Sequence, residues 1–535
     1  MNIGIIQLHA GTGDFSRNVR AIIESYRKCI DEGAQLVVAP ALSLCGPDMD
    51  DLVLRTSYPS QNSRALEYLS TEISSIPLIV GTLTPAQDES DGFYNAAFVI
   101  RHGEIQELAA QRHLDDYGIA HDSRYLLSSE FTDSVEIDGI RVATLIGADS
   151  PLLIDADSCD LLLRLPTAPW TIGMLEREEK EDATLALQFA CPVVRVRLVG
   201  GQQSSIYPGA STIIRATGET LLRLESFSED IANIDLLSAR QGHTVKQLPS
   251  PIEQVRLALL IGIRDFIGKS GFSSVCLGLS GGIDSALVAT LAVQALGAEH
   301  VHGLALPGPY SSQGSLDDAY ALAENLGISC QTVKISDCFE ALKVAMKDVF
   351  EGTTPDTTEE NMQSRLRGIA LMSFSNKFNH MLLTTGNKSE ISVGYCTMYG
   401  DTCGGLNPIG DLYKTEVYEL SNHLNKTSST GELIPQNTID KLPSAELRPD
   451  QTDQDSLPPY EILDAILREL IDGNISATDL IALSSDRFEE QIVRKIQRLV
   501  TFSEWKHAQC APILKITPCS FGRERVIPFI HKFSD

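Results

Sequence analysis

The stretch VCLGLSGGIDSALVATLAVQ at 275–294 leaves this chain few ways to fold. A short apolar run, Val275 to Leu279, is followed by Ser280, Gly281, Gly282, Ile283, Asp284 and Ser285. Ala286, Val288, Ala289, Leu291 and Ala292 then recur at helical spacing. That order predicts a buried strand, a glycine turn and the start of a helix. Two adjacent glycines let backbone N–H groups approach an anion with no Cβ in the way, and the serines add hydroxyl donors at the positive end of the helix dipole. The loop is suited to phosphate. It has neither the lysine of a Walker loop nor the GxGxxG spacing of a dinucleotide fold. Taken by itself, the motif also fits a glycine turn in an ordinary α/β domain.

At 535 residues the chain exceeds what one hydrophobic core ordinarily serves, so two or more domains are expected. Lys and Arg number 43 against 71 Asp and Glu, a formal charge of −28, which disfavours a broad nucleic-acid surface or an anionic membrane as partner. Anionic substrates must then be met by local dipoles, a few cations and a metal. The eleven cysteines are scattered without a CxxC or the paired spacing of a disulfide framework, and a reducing cytoplasm is the simplest setting. Met1 leads directly into the apolar run Ile3 to Leu8, with no basic region, small-residue cleavage site or membrane-length apolar stretch. The expectation is a cytoplasmic protein with no nucleic-acid or membrane partner.

Residues 1–240 alternate short apolar strands with amphipathic helices: strands at 3–8, 36–40, 76–83, 95–100, 141–147 and 161–166, and a helix from Asn18 to Glu32. Strands beside helices and also in pairs predict a layered α/β sandwich. The phrases PALSLCGPDMDDLVLR at 40–55, LDDYGIAHDSRYL at 114–126, TAPW at 167–170 and VGGQQSSIYPGAS at 199–211 resemble the nitrilase-type (CN hydrolase) glutaminase domain found ahead of bacterial NAD synthetases. Such a domain works with a glutamate base, a lysine that stabilises the oxyanion and a cysteine thiolate that attacks the glutamine amide. Each of the three matching positions departs from that pattern. The glutamate of the family's P-E-L phrase falls on Ala41, the lysine three residues before Leu114 falls on Gln111, and the cysteine of the C-E-D phrase falls on Gly147. The resemblance therefore implies a front domain that has lost its glutaminase chemistry. Cys45 and Cys159 do not fall on the nucleophile elbow, and a buried structural role suits each better. Arg112, next to the lost lysine, would point to the opposite face of a strand.

From Glu225 to Pro251 the sequence turns polar and ends in QLPSP, which reads as an exposed connection. The second domain is placed at 251–535. A helix over Ile252–Lys269 feeds the phosphate-loop strand, and strand, helix and strand follow at 301–307, 315–326 and 330–336. This alternation builds a parallel sheet with ligands at the carboxyl ends of its strands. The SGGxDS loop resembles that of the N-type ATP pyrophosphatases, which implies an adenine nucleotide alpha hydrolase-like, doubly wound fold. The phrases EENMQSRLRG at 359–368, LLTTGNKSEISVGYCTMYGD at 382–401, DLYKTEVYEL at 411–420, LPSAELRPDQTDQDSLPPYEILDAIL at 442–467, EWK at 504–506 and SFGRER at 520–525 resemble NAD synthetase itself.

That resemblance implies a ligase of NAD biosynthesis. Nicotinic acid adenine dinucleotide (deamido-NAD) carries a carboxylate, a poor electrophile; ATP converts it to an acyl adenylate, and ammonia displaces AMP. The matching ATP contacts are Gly278, Leu279, Ser280, Gly281, Gly282, Ile283, Asp284, Ser285, Thr385, Lys414 and Ser444. Asp284 and Glu390 match ligands of Mg2+, a metal that prefers hard oxygen donors and keeps room for phosphates and water. Lys414 resembles the lysine that supports the phosphates, although a lone lysine is ordinarily a solvated surface group. Asn361 and Arg365, four apart on one predicted helix, share a face and match contacts to deamido-NAD, as do Glu390 and Lys506. For Asn361 a helix cap is the plain alternative, since Glu359 and Glu360 suit a helix start. The polar segment Ser444–Pro459 resembles a loop that closes over the adenylate and keeps water away. A homodimer or larger even homo-oligomer is expected. The alternative to an ammonia-dependent enzyme is a glutamine-dependent NAD synthetase with a working amidase.

Overall fold

The computed structural model describes residues 1–86, 92–116, 118–130, 134–154, 159–236, 245–429, 431–484 and 486–533. Tyr117 of the LDDYGIAHDSRYL phrase and much of the expected connection, 237–244, lie outside the described residues. The chain forms two compact units, Met1–Gln254 and Val255–Asp535. Among the described residues no helix is long and apolar enough to cross a membrane.

The first unit pairs two six-stranded sheets. One holds β1 (Asn2–Gln7), β2 (Leu36–Val38), β3 (Leu78–Pro85), β4 (Phe93–Arg101), β5 (Glu104–Ala110) and β14 (Asp230–Asp235), in the order β14-β1-β2-β3-β4-β5. The other holds β6 (Val135–Ile137), β7 (Ile140–Ile146), β8 (Leu161–Leu165), β9 (Val193–Arg195), β12 (Thr212–Ile214) and β13 (Thr220–Arg223), in the order β13-β12-β9-β8-β7-β6. β10 (Val199–Gln202) and β11 (Ser205–Pro208) make a separate hairpin. In each sheet three central strands run parallel and antiparallel strands flank them.

The sequence of β8 shows why the sheets stack. Leu161, Leu163 and Leu165 join Ile3, Val37 and Ile79 in the core between the sheets, while Leu162 packs outward with Leu185 and Phe189 of α3 (Met174–Phe189). A strand apolar on both faces is stable only when both are covered. α1 (Phe15–Asp31) buries Val19, Ile22, Ile23 and Tyr26, one helical stripe, and starts where Asp14 accepts from Arg17 N. It packs on the first sheet, as does α2 (Tyr58–Glu72).

The stretch after Glu225 is not all connection: Asp230–Asp235 is β14, paired along its whole length with β1, Asn2 opposite Asp235 through Gln7 opposite Asp230. As an edge strand that fully buries only Ile234, it needs no continuous apolar run, so its polar sequence reads as a loop.

The second unit is built on four parallel strands: β15 (Val275–Gly278), β16 (Val301–Ala305), β17 (Ser329–Thr332) and β18 (Met381–Leu382). Their order, β17-β16-β15-β18, places β18 on the opposite side of β15 from the strands that follow it in sequence. The crevice at such a reversal opens at the carboxyl ends of the strands and is where doubly wound sheets take ligands. α5 (Ile283–Leu296) and α6 (Gln313–Leu326) pack against the sheet, and α8 (Thr357–Phe378) packs Leu366, Leu371 and Phe374 against Cys276, Leu304 and Leu382. Before it come α4 (Pro251–Lys269) and, between β17 and α8, α7 (Ser336–Met346). The rest is helical: α9 (Lys388–Val393), α10 (Lys414–Thr427), α11 (Gln436–Asp440), α12 (Tyr460–Leu467), α13 (Ala477–Leu483) and α14 (Glu490–His507).

The first unit carries a buried ion network on α3. Asp182 takes Arg195 Nε at 2.5 Å, Arg195 Nη2 at 2.6 Å and Arg164 Nη1 at 2.8 Å, with Asp182 and Arg195 fully shielded and Arg164 partly so. Without Asp182 the fully buried Arg195 would keep only Glu178 at 3.2 Å and Glu181 at 3.5 Å, and Arg164 only Glu181 at 3.1 Å. Asp182→Ala is expected to destabilise this unit by about 3–5 kcal/mol in urea unfolding. A loss below about 1 kcal/mol would mean that the arginines find water.

Candidate active site

The phosphate loop forms as its sequence requires. β15 ends at Gly278, Gly281 has φ +76°, and α5 begins at Ile283. A Cβ on Gly281 would strike the Ser315 backbone in the first turn of α6, so glycine is needed for space as well as for φ. Ser280 N donates to Ser285 Oγ at 3.3 Å, Ser285 Oγ donates to Gly282 O at 3.0 Å, and Gly282 N donates to Ser280 Oγ at 3.2 Å. Gly278 to Ser285 thus form one buckled turn at the crevice.

Three charged side chains meet beside it. Lys414, the first residue of α10, is 2 % exposed, and its Nζ lies 2.5 Å from Asp284 Oδ2 and 3.1 Å from Glu390 Oε1. Tyr460 supplies an aromatic face 5.4 Å from the same nitrogen. The residues come from three elements: Asp284 from α5, Glu390 from α9 and Lys414 from α10. Burial pushes the Glu390 carboxyl up to about 8; Lys414 opposes this, and Asp284 and Asp453 reinforce it. Burial works against the Lys414 charge too, but Asp284 and Glu390 outweigh it and hold the ammonium above its usual range.

Two carboxylate oxygens converging on one cation make a hard-donor pair of the kind Mg2+ takes. Among the described residues no group of three or more acidic, histidine or cysteine side chains is arranged to cage a metal. The remaining positions on such an ion would fall to phosphate oxygens and water, which is how Mg2+ is usually held at nucleotide sites. The residues present fit the ion.

The positions matched to deamido-NAD gather around the turn 394–401 that leaves α9. Thr397 Oγ1 donates to Asn361 Oδ1 at 2.8 Å, Arg365 Nε donates to Met398 O at 3.2 Å, and Lys506 Nζ donates to Gly394 O at 2.7 Å and Cys396 O at 2.9 Å. Asn361 is not a helix cap. Asp356 caps α8, accepting from Thr358 N at 2.7 Å, and Asn361 lies a turn further in. Thr385 lies past the end of β18, in the turn to α9 rather than on the strand.

The segment 444–459 is docked. Glu446 accepts from Ser315 Oγ at 2.6 Å, Ser312 Oγ at 2.9 Å and Ser312 N at 3.2 Å, on the α6 turn that abuts Gly281. Ser444 Oγ donates within the segment, to Gln451 O at 2.6 Å. Leu457 and Asp453 are buried, and Tyr460 Oη donates to Asp453 Oδ2 at 2.8 Å. Asp453 therefore belongs to the charged cluster, and neither it nor Asn387 was singled out from the sequence. Asn387 precedes α9 in the GNKSE phrase, and an asparagine directly ahead of a helix is the signal that points to it.

In the first unit, Gln111 and Gly147 touch. Gly147 follows β7 at φ +58°, and a Cβ there would lie 2.7 Å from Gln111 Nε2 and 2.8 Å from its Cδ. Gln111 is pinned: it accepts from Asn95 Nδ2 at 2.9 Å and donates to His113 O at 2.7 Å and Asp122 Oδ2 at 3.0 Å. Asp149, two residues past Gly147, accepts from Arg112 N at 2.7 Å and His113 N at 2.8 Å, which ties the two strand ends together. Ala41 is buried after β2, where a Cβ on Gly81 would strike it. Cys45 is fully buried with its thiol pushed up by burial, and Cys159 Sγ sits 3.7 Å from Cys191 Sγ.

A nitrilase-like sandwich followed by a pyrophosphatase-type parallel sheet defines a two-domain amide-forming ligase. Residues 2–243 match the carbon-nitrogen hydrolase family model and 256–510 the NAD synthase model. The chain is 38% identical to the glutamine-dependent NAD(+) synthetase of Rhodobacter capsulatus over 549 residues, covering 100% of this chain and 99% of that protein. It is 38% identical over 557 residues to the enzyme of the same name from Synechocystis, covering 99% of each. The solved glutamine-dependent NAD+ synthetase of Acinetobacter baumannii, in complex with adenosine diphosphate, superposes with a TM-score of 0.78 at 33% identity, covering 99% of this chain and 98% of that one. The chain belongs to the glutamine-dependent NAD(+) synthetase family, ligases of NAD biosynthesis.

Lys414→Ala would leave Asp284 and Glu390 facing each other with no cation between them. The expected result is a loss of about 3–5 kcal/mol in unfolding free energy. Millimolar MgCl2 without nucleotide should raise the melting temperature of this variant more than that of the wild type. Equal shifts would show that the two carboxylates do not share a cation position.

Proposed function

We propose that this chain makes NAD+ from deamido-NAD, ATP and free ammonia, and that its front domain, residues 1–240, does not hydrolyse glutamine. The synthetase domain, 251–535, would hold the ATP phosphates on the Gly278–Ser285 turn, where backbone N–H groups and the Ser280 and Ser285 hydroxyls meet the α5 N-terminus. Asp284 and Glu390 would hold Mg2+, which when bound supplies charge neutralisation along the triphosphate. Lys414 keeps its proton beside both carboxylates and steadies the charge that builds as pyrophosphate leaves. The nicotinate carboxylate oxygen bonds to the α-phosphorus as the bond to pyrophosphate breaks; ammonia then bonds to the acyl carbon and AMP departs. Asn361, Arg365 and Lys506 would orient the dinucleotide from the 394–401 turn, and the 444–459 segment would keep water from the adenylate.

The observation that carries the nitrogen assignment is Gly147. A covalent amidase needs a nucleophile, and glycine has none; beside it Gln111 carries no charge, and Ala41 cannot take a proton. The names of the relatives favour the other reading, a working glutamine-dependent enzyme, and their similarity runs the full length of the chain. That kinship speaks for common descent of the whole chain, whereas the amidase reaction depends on three particular side chains. We place the enzyme in the cytoplasm as a homodimer or larger even oligomer, with ATP as co-substrate and no nucleic-acid or membrane partner.

The purified protein should form NAD+ with ammonium and release no glutamate from glutamine once contaminating ammonia is controlled. Glutamate release at a rate comparable to ammonium-driven synthesis would establish the glutamine-dependent reading and point to another thiol, Cys45 or Cys159 first. The products should be AMP and pyrophosphate; ADP and phosphate would overturn adenylation. Asp284→Ala and Glu390→Ala should each lower turnover by at least about a hundredfold, and near-normal turnover would remove that carboxylate from the site. Light scattering should find an even-numbered oligomer at micromolar concentration, and a monomer would refute the assembly.

A further inference from the structure

Asn387 is fully buried, and its side-chain amide works at both ends. Nδ2 donates to Asp284 Oδ1 at 2.9 Å, while Oδ1 accepts from Glu390 N at 3.0 Å as the N-cap of α9. We infer that Asn387 is a positioning residue whose single planar amide holds Asp284 and Glu390 in register, and thereby sets how tightly the site takes a divalent cation. The inference rests on the reading of these two carboxylates as metal ligands.

The geometry gives the amide leverage on both groups. With Asp284 Oδ1 fixed by Nδ2–H, the other oxygen, Oδ2, is left to face Lys414 Nζ at 2.5 Å and cannot rotate away without breaking a buried hydrogen bond. Glu390 is the third residue of α9, a helix of six residues. So short a helix depends on its cap for its position, so the cap also aims the Glu390 side chain. The two carboxylates are 106 residues apart in sequence and share no strand or helix, and the amide is a direct link between them. Other side chains supply only part of this. Serine caps a helix but is too short to reach Asp284, and aspartate caps but has no proton to donate.

That difference separates positioning from mere capping. In the full-length enzyme, Asn387→Ser is expected to fold and to melt no more than about 5 °C below the wild type, because serine caps almost as well as asparagine but leaves Asp284 Oδ1 without its amide donor. Its Mg2+ requirement for half-maximal NAD+ formation should rise at least about tenfold, and calorimetry should find Mg-ATP binding weakened by a similar factor in the absence of the dinucleotide. Asn387→Asp keeps the cap and the shape but turns a charge on Asp284, so it should fold and lose Mg-ATP binding as well; it decides the question if the serine variant does not fold. Wild-type Mg2+ dependence and Mg-ATP affinity in the folded variant would make Asn387 a helix cap alone and overturn the inference. Asp284→Ala measured alongside separates the two levels. If it binds Mg-ATP like the wild type, the metal reading falls; if it is defective while Asn387→Ser is intact, only the role of Asn387 falls.

Discussion

The synthetase unit is organised around one buried ammonium. A lysine at the first residue of a helix faces the positive end of the dipole, and burying it adds a desolvation cost. Lys414 tolerates both because Asp284 and Glu390 converge on it, and its charge in turn opposes the burial and the Asp284 charge that push the Glu390 carboxyl up. The dependence extends to the backbone. Lys414 N donates to Ser389 Oγ at 2.8 Å, Asp464 joins Ser389 to Thr415 N, and Lys388 N donates to Leu412 O at 2.7 Å. The starts of α9 and α10 are stitched together, so the charges they carry cannot drift independently.

The first unit is held together by contacts that lie outside the three positions matched to an amidase triad. Both sheets, their facing cores and the turn after β7 are in place, held by Asp149 on the backbone of Arg112 and His113. None of these contacts needs a thiol, a lysine or a glutamate at the three matched positions. Gln111 and Gly147 fit each other: the glutamine amide, held by Asn95, His113 and Asp122, occupies the volume that a side chain on residue 147 would enter. A fold carries many sites and requires none of them, and here the corner is closed by the fit of Gln111 against Gly147.

Much of this was legible because its signals are local. The strand, glycine turn and helix at 275–294, and the apolar strands of the sandwich, follow from period and turn chemistry alone. What escaped was set by partners distant in sequence. β14 is polar because it is an edge, and only its pairing with β1 makes it a strand. The docking of Glu446 on Ser312 and Ser315 and the bridge from Asn387 to Asp284 each join segments more than a hundred residues apart, and Asp453 reaches the charged cluster from a loop far along the chain from Glu390. A motif reports that a residue type recurs in a phrase; it does not say which atom of another phrase its side chain will meet.

Two buried lysines of the same unit differ in the partners the fold gives them. Lys388 Nζ meets Asp472 at 2.8 Å, Thr517 Oγ1 at 2.7 Å, Cys519 O at 2.7 Å and Asp411 at 3.0 Å, which more than uses its three protons. Such a group is closed: it has nothing left to offer a ligand, and its work is to lock α9 to the 515–519 segment. Lys414 Nζ has two acceptors among the described residues and the face of Tyr460. Both acceptors are carboxylates, one on α5 and one on α9, so the ammonium ties those two helices to α10. Burial alone would rank these two lysines alike. What distinguishes Lys414 is its place beside the Gly278–Ser285 turn, between two carboxylates from separate helices.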